Sequence, residues 1–408
     1  MKDTSHQNKV GKTLKFLLFI VAFSIPISLA FNSISLAVLF LFSFLFYKKE
    51  MFFKSINTKE IYAVYLLIFI IQALSISYAT NKELAFETVK EQIVFFILPI
   101  TFINLKDQIS RKNLRVTFLG LFSSVLLTLI VAIYNLFYIS LIGDIQLSDF
   151  FRESFVEKGV YTIHVPYFSL LIVFLITATV KFPFFKNEKN NRVIKLAVFI
   201  VLTSSLFFLS GIMSLVIFCL FSAVLFFKRK YSIYLKIGST VAVAVLLFFS
   251  FNYIKNTNRI EIVQGSEHIA YRAQNFLNSN DPVRKANWKS VFKVISNNVI
   301  LGAGADGGLE LLQKERSVLS ESYINKHNAH NEFLEIILRH GLIGIGIYLL
   351  LLSKLIQKAW QENNYFLKWF LVVFVISGIT ESYLQRQVGL TFFSFFSLLL
   401  YNYKLKTA

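Results

Sequence analysis

Apolar residues in this chain come in long runs separated by short polar clusters. Runs such as Ile61–Tyr78 and Ile237–Ile254 approach the roughly 20 residues a helix needs to cross a hydrocarbon core of about 30 Å. Read in order, the runs predict an all-α integral membrane protein of about 12 transmembrane helices. The predicted spans are 14–31, 33–47, 61–79, 89–104, 116–140, 163–180, 194–209, 211–227, 237–254, 332–352, 367–380 and 388–403. The first pair, and the pair meeting at Ser210-Gly211, also read as broken or re-entrant helices. Between the ninth and tenth spans lies one large polar loop, 255–331, the only stretch with room for polar chemistry.

Charge along the chain checks this count. With the N-terminus placed in the cytoplasm, each cytoplasmic segment carries two to five Lys/Arg, and the short external loops carry one or two. That is the positive-inside pattern, with both termini inside. The long loop holds about ten and falls outside, where the rule binds weakly. The N-terminal Lys9, Lys12 and Lys15 before an apolar run ending Ser28-Leu29-Ala30 resemble a cleavable signal peptide. An uncleaved first helix is the reading adopted, because another span follows at once.

Composition agrees. Apolar residues are 55% of 408 and charged residues 16%, with 46 Phe and 18 Tyr to meet lipid and interface. Mean hydropathy is +0.60. A second, soluble domain is not expected, so 1–408 reads as a single polytopic domain in contact with a lipid bilayer. The net charge of +19 does not indicate nucleic acid, since the basic residues sit in clusters between spans rather than on one face. The sole cysteine, Cys219, lies within an apolar run.

The loop supplies most of the chemistry. Asp281-Pro282 marks a helix start. Beyond it, Trp288, Val291, Phe292 and Ile295 fall on one side, and Lys285, Lys289 and Lys293 on another. This predicts an amphipathic helix lying on the outer membrane surface. Arg284 and Trp288 share a side. A guanidinium there suits a diphosphate or, equally, a lipid headgroup. The turn Leu301-Gly302-Ala303-Gly304-Ala305-Asp306-Gly307-Gly308 is of a kind that brings backbone N–H groups to phosphates, although such turns are common.

The loop ends His327-Asn328-Ala329-His330-Asn331-Glu332, where Asn331 or Asn328 can cap the following helix. A helix N-terminus draws anions. His330 is either an interfacial histidine or a general base working near neutral pH. His327 and His330, three apart, lack a clear third ligand, so no metal is expected. Gly341, Gly344 and Gly346 read as close helix packing. Glu381 and Arg386 flank a short external turn. Glu381 is open between interface carboxylate and site residue, as His164 is between structural and functional roles.

Taken in order, these segments resemble the O-antigen ligase and polymerase family of bacterial envelope glycosyltransferases. Arg284-x-x-x-Trp288 followed by Asn298-Val299-Ile300-Leu301-Gly302-Ala303-Gly304 is similar to the family's "Arg…Trp…Pro-Leu-Gly-Val-Gly" stretch. His330-Asn331-x-x-Leu334 leading into Gly341-Leu342-Ile343-Gly344 is similar to its "His-Asn-x-x-Leu…Gly-x-x-Gly" element, and Glu381-Ser382 precedes the last span. The resemblance is strongest over 280–390. It implies a multi-span, GT-C-like glycosyltransferase of the lipid-donor type, in the bacterial inner membrane with its active site periplasmic. Such enzymes move a glycan from undecaprenyl diphosphate to lipid A core (ligases) or to another glycan repeat (polymerases). By resemblance His330 is the acceptor base, and Arg284 with Lys285, Gly302 and Gly304 meets the donor diphosphate. Trp288, Asn331, Glu381, Arg386 and His327 are further candidates.

Two positions depart from the pattern. Leu209-Ser210-Gly211-Ile212-Met213-Ser214 lacks the arginine usual after the serine, and Ile300 stands where proline is usual. No Asp-x-Asp motif occurs in the loop, which suits a metal-independent reaction without a cofactor, and a single displacement would invert the anomeric carbon. A polymerase of the same family is the first rival. A polysaccharide transporter or flippase is the second, for which mid-span Arg339 and the Ser210-Gly211 break are the supporting features. A non-catalytic scaffold leaves the ordered motifs unexplained.

Overall fold

The computed structural model describes residues 2–56, 60–140, 163–182, 188–209, 212–227 and 282–403, with isolated positions 233, 237, 238 and 241. Apart from 237, 238 and 241, the predicted span 237–254 lies outside the described residues, as do the loop portion 255–281, Ser210 and Gly211. Among the described residues the secondary structure is helical. Four helical stretches are long and apolar enough to cross a membrane: Leu29–Phe46, Lys82–Gln108, Arg111–Asn135 and Glu332–Gln361. Five shorter apolar helices lie at Val165–Thr179, Val193–Leu206, Met213–Phe227, Tyr365–Ser377 and Gln387–Asn402.

The chain divides into two compact units, 1–124 with 282–408, and 125–281. In the first unit the helices are α1 (Lys2–Ser24), α2 (Leu29–Ser43), α3 (Lys49–Ile56), α4 (Ile61–Leu74), α5 (Lys82–Glu91) and α6 (Val94–Leu105). The division falls within α7 (Arg111–Ser140). The second unit holds α8 (Val165–Thr179), α9 (Glu188–Leu209) and α10 (Ile212–Phe227). Back in the first unit follow α11 (Pro282–Asn297), α12 (Leu309–Glu315), α13 (Glu321–Ile324), α14 (Glu332–Gln361), α15 (Tyr365–Ser377) and α16 (Gln387–Asn402).

The first break falls earlier than the apolar pattern implies. The chain turns at 25–28 rather than near 32, because Pro26 has no N–H to continue α1 and Ser28 accepts from Phe31 N–H to start α2. The short polar stretch 80–90, expected as a loop, is partly helical. α5 lies there, capped by Asn81 accepting from Leu84 N–H.

The core of the first unit is built on α4, α6, α14 and α16. α16 is buried along nearly its whole length. Its Phe393 ring centroid lies 4.4 Å from that of Phe374 on α15. Two polar pairs in this core join different helices. Tyr62 Oη donates to Asn402 Oδ1 at 2.5 Å, and the Tyr65 and Ser397 hydroxyls lie 2.5 Å apart. Such pairing is what a low-dielectric interior requires. In the second unit α8 is apolar on every side and buried, and packs against α9 and α10.

α14 is not one regular helix. Gly341 has φ 59° and ψ −155° inside it, a conformation that L side chains rarely adopt. The sequence pattern assigned Gly341, Gly344 and Gly346 alike to close packing; the structure gives them three roles. Gly341 breaks the helix, and a Cβ there would lie 2.2 Å from Ile300 O. At Gly344 a Cβ would lie 2.3 Å from His340 Cβ, while at Gly346 it would meet nothing within 4 Å. Glu332, Glu335 and Arg339 all precede the break, and the next charged residue on α14 is Lys354.

Candidate functional site

The glycine-rich turn inserts at the α14 break. Ala303 N–H donates to Leu338 O at 2.7 Å and Gly304 N–H to Arg339 O at 3.0 Å. In return, Leu342 N–H donates to Val299 O at 2.9 Å and Ile343 N–H to Ile300 O at 3.4 Å. The turn thus satisfies backbone groups that the broken helix leaves open. Gly302 N–H goes to Asn298 O at 2.9 Å. The amides of Gly302, Ala303 and Gly304 are therefore donated within the chain, which corrects the expectation that this turn offers them to a phosphate. Positive φ at Gly302 (74°) and Gly304 (107°) serves close packing. A Cβ at Gly302 would lie 2.4 Å from Arg339 C, and one at Gly304 2.7 Å from Ala79 Cα.

Asp306 fixes the same turn to the loop before α5. Its Oδ2 accepts from Thr80 Oγ1 at 2.7 Å and Asn81 N–H at 3.0 Å, and its Oδ1 from Gly308 N–H at 3.1 Å. Ala305 packs with Ala79, Ala85 and Val89 beneath.

α11 has the predicted start and stripe but a different partner. Val291 and Val294 are buried with Ala303, Leu312, Ala329 and Leu338, so its apolar stripe packs on protein rather than resting on lipid. Phe292 alone of the predicted apolar set is exposed. The reason is geometric: α12 and the 327–331 segment return over that stripe. Lys285 and Lys289 stay exposed, and Lys293 pairs with Glu315 at 2.6 Å.

The 327–331 segment is held carbonyl by carbonyl. His327 O accepts from Arg316 Nη2 at 2.7 Å, Asn328 O from Asn287 Nδ2 at 2.7 Å, and Ala329 O from Trp288 Nε1 at 2.8 Å. Arg316 Nη2 also donates to Asn287 Oδ1 at 2.5 Å, and its Nη1 to Ser322 O at 3.1 Å. From the other side Glu335 Oε2 accepts Ala329 N–H at 2.8 Å. Its Oε1 accepts from Arg339 Nε at 2.7 Å, and Arg339 Nη1 reaches Ala305 O. Arg339 thus belongs to the scaffold around the strap. Burial pulls the Arg316 guanidinium below its ordinary value, with Glu335 opposing. It remains charged, since arginine does not lose its proton in proteins.

This anchoring holds His330 at φ 46°, a backbone state costing on the order of 1–3 kcal/mol in a non-glycine residue. His330 N–H donates to Asn328 Oδ1 at 3.0 Å. The His330 side chain, half-buried, places Nδ1 3.5 Å from Glu381 Oε1. Glu381 is buried, and its Oε1 also accepts Ser382 N–H at 3.1 Å. The two residues are 51 positions apart, and Asn331 closes the distance. Asn331 Oδ1 caps α14 through Leu334 N–H (3.0 Å), its Nδ2 donates to Ile379 O (2.9 Å), and its N–H donates to Ser382 Oγ (3.2 Å). Glu332 completes the joint, its N–H donating to Gly378 O at 2.7 Å and its Oε2 accepting Leu384 N–H at 2.8 Å. These bonds use much of the α14 N-terminus within the chain, and the acidic Glu332 and Glu335 stand in its first turn.

The His327 ring meets the His330 ring edge-on at 5.1 Å. Burial, and then the neighbouring His330, push the His327 imidazole below its ordinary value. It is therefore neutral at pH 7 and able both to donate and to accept a proton.

Of the sequence candidates, His330, Glu381, His327, Asn331 and Trp288 come together. Arg284 and Lys285 lie one turn earlier on α11, Arg284 half-buried and Lys285 exposed. Exposed Arg386 immediately precedes α16. Arg316 and Asn287 were not singled out from sequence, Ser382 entered only as part of the Glu381-Ser382 element, and Glu335 only as a residue near the two histidines. Glu335 also had a legible signal, its i,i+4 spacing to Arg339. Among the described residues no group of three or more His, Cys, Asp or Glu is arranged to hold a metal ion. A small cavity lined by Gln72, His340, Tyr348 and Gln385 lies within the first unit, and neither His330 nor Glu381 lines it.

A buried carboxylate against one nitrogen of a partly accessible imidazole is an arrangement for proton transfer. The carboxylate orients the ring and stabilises its protonated form, leaving Nε2 for a substrate. Together, the apolar helices and this pair describe a membrane protein with a candidate acid–base centre. Residues 192–349 match the family model described as O-antigen ligase. The matched segment includes α11, the glycine-rich turn, the 327–331 strap and the α14 break; Glu381 lies beyond it. No curated protein matches the chain.

Proposed function

We propose that the protein is an O-antigen-ligase-like glycosyltransferase, moving a glycan from undecaprenyl diphosphate to lipid A core or a related acceptor. The reading places it in the bacterial inner membrane, with both termini cytoplasmic and the site periplasmic. The observation that carries it is the His330–Glu381 pair, set by a strap of three anchored carbonyls inside a segment that matches this family. His330 Nε2 takes the proton of the acceptor hydroxyl while Glu381, against Nδ1, stabilises the imidazolium. The acceptor oxygen bonds to the anomeric carbon as the bond to the diphosphate breaks. One displacement inverts that carbon, and no metal is invoked. Arg284 and Lys285 are assigned to the leaving diphosphate, whose growing charge they would neutralise. Gly302 and Gly304 have no part in this assignment, because their amides are bonded within the chain.

Purified protein in proteoliposomes with an undecaprenyl-diphosphate-linked glycan and lipid A core tests this. Glycan transfer to core by wild type and not by His330→Ala is the expected result. Longer lipid-linked chains with untouched core would make the protein a polymerase. Absence of any glycosidic product from competent substrates would overturn the transferase reading. Retention at the anomeric carbon, seen by NMR of the product, would remove the single displacement.

A further inference from the structure

The tip of the glycine-rich turn is apolar and uncovered. Val299, Ile300 and Leu301 are 42%, 65% and 53% exposed, beside Leu342 at 56% and Ile343 at 42% just past the α14 break. No Lys, Arg, Asp or Glu occurs in 294–305 or 340–353.

The turn's level relative to the bilayer follows from its bonds. Val299 and Ile300 carbonyls accept from Leu342 and Ile343 N–H, so tip and helix lie side by side. The segment from Leu342 to Gln361 is about 20 residues, which at about 1.5 Å per residue is about the thickness of a hydrocarbon core. Leu342 and Ile343 therefore lie at the edge of that core or inside it. The exposed face of α14 continues from them through Gly346, Leu349, Leu350, Ser353, Ile356 and Trp360 as one helical stripe. The tip extends that stripe sideways.

The tip's carbonyls are also prepared for a dry environment. All three carbonyls are bonded, Leu301 O accepting from Tyr78 Oη at 2.8 Å. Water demands no such pairing, but hydrocarbon does.

We propose that Val299–Leu301, with Leu342 and Ile343, form a membrane-inserted tip whose partner is the acyl chains of the adjoining leaflet. It pins the loop carrying the strap to the bilayer surface. Lipid is favoured over a second copy of the chain because the patch is continuous with the exposed face of a membrane-crossing helix.

The test is nitroxide labelling in liposomes on a Cys219→Ser background. Ile300→Cys and Val299→Cys report the tip, Leu349→Cys a mid-helix lipid position, and Lys314→Cys the aqueous loop. The expected result is a collision ratio, dissolved oxygen over water-soluble nickel chelate, shifted at 299 and 300 to the value at 349. A ratio matching that at 314 overturns the proposal. Low access to both reagents, with spin–spin broadening between copies, overturns it in favour of a protein partner. The readout needs no glycan transfer, so it stands or falls apart from the enzymatic reading.

Discussion

The glycine-rich turn and the histidine strap look alike in sequence and behave oppositely in structure. Each is a short irregular segment containing positive φ, and each reads in sequence as a place for a substrate. In the turn, the amides of Gly302, Ala303 and Gly304 are bonded to carbonyls of the chain. In the strap, three carbonyls are tied down by Arg316, Asn287 and Trp288, while the His330 side chain remains partly accessible beside Glu381. The difference teaches that a glycine motif says where backbone comes close, not what it comes close to. A full tally of N–H partners decides between a phosphate cradle and a packing joint.

Breaking the joint has the largest expected effect on folding. Gly341→Ala or Gly302→Ala forces a Cβ to within 2.2–2.4 Å of opposing backbone at a φ that alanine resists. The expected cost is about 3 kcal/mol or more, read as loss of monodisperse protein on size-exclusion chromatography. Gly346→Ala, with nothing within 4 Å, leaves that profile unchanged. Equal behaviour of Gly341→Ala and Gly346→Ala would remove the joint from the account.

His330→Ala sits at the opposite pole: thermal unfolding stays near wild type while glycan transfer falls about 10²–10⁴-fold. Arg316→Met falls between them. It frees the His327 carbonyl and leaves Asn287 Oδ1 without its guanidinium donor. Transfer drops about 10²-fold through misplacement of the base, and trypsin cuts faster at Lys326, next to the strap. Unchanged cleavage with lost activity would mean that Arg316 does not hold the strap.

Asp306→Asn gives a smaller effect, about 1–3 kcal/mol, because an amide replaces a carboxylate that accepts three hydrogen bonds. The smallest effect is on pH dependence. His327 has a folded value below its unfolded one, so the unfolded chain binds that proton more readily. Its contribution is intact above the ordinary histidine value of about 6.5 and is lost as pH falls through it. His327→Gln flattens this part of a melting-temperature profile below about pH 6.5; an unaltered profile would assign the dependence to other groups.

Much of the helical layout was legible because lipid leaves few alternatives. Apolar runs of sufficient length become helices, and Val165–Thr179, Tyr365–Ser377 and Gln387–Asn402 fall close to their predicted bounds. Breaks were less legible. Pro26 carried a readable signal, but the Gly341 break depends on Ile300 and Gly302 approaching from 40 residues away. α11 was read correctly as amphipathic, but periodicity does not say whether a stripe meets lipid or protein. At the site, His330 and Glu381 could be singled out by residue type and order, whereas their approach is fixed by Asn331 and Ser382 across 51 positions. Arg316 in a polar loop reads as a solvated charge, and only its neutral partners reveal it as a clasp.

The central claim is that His330 and Glu381 work as one unit in glycan transfer. A double-mutant cycle measures this directly, comparing single-turnover transfer by wild type, His330→Ala, Glu381→Gln and the double variant. Once the base is gone, the carboxylate that orients it has nothing left to do. The account predicts that Glu381→Gln slows wild type but leaves His330→Ala unchanged, so the double variant is no slower than His330→Ala. Rates that multiply, each substitution exerting its full effect in the presence of the other, would contradict it.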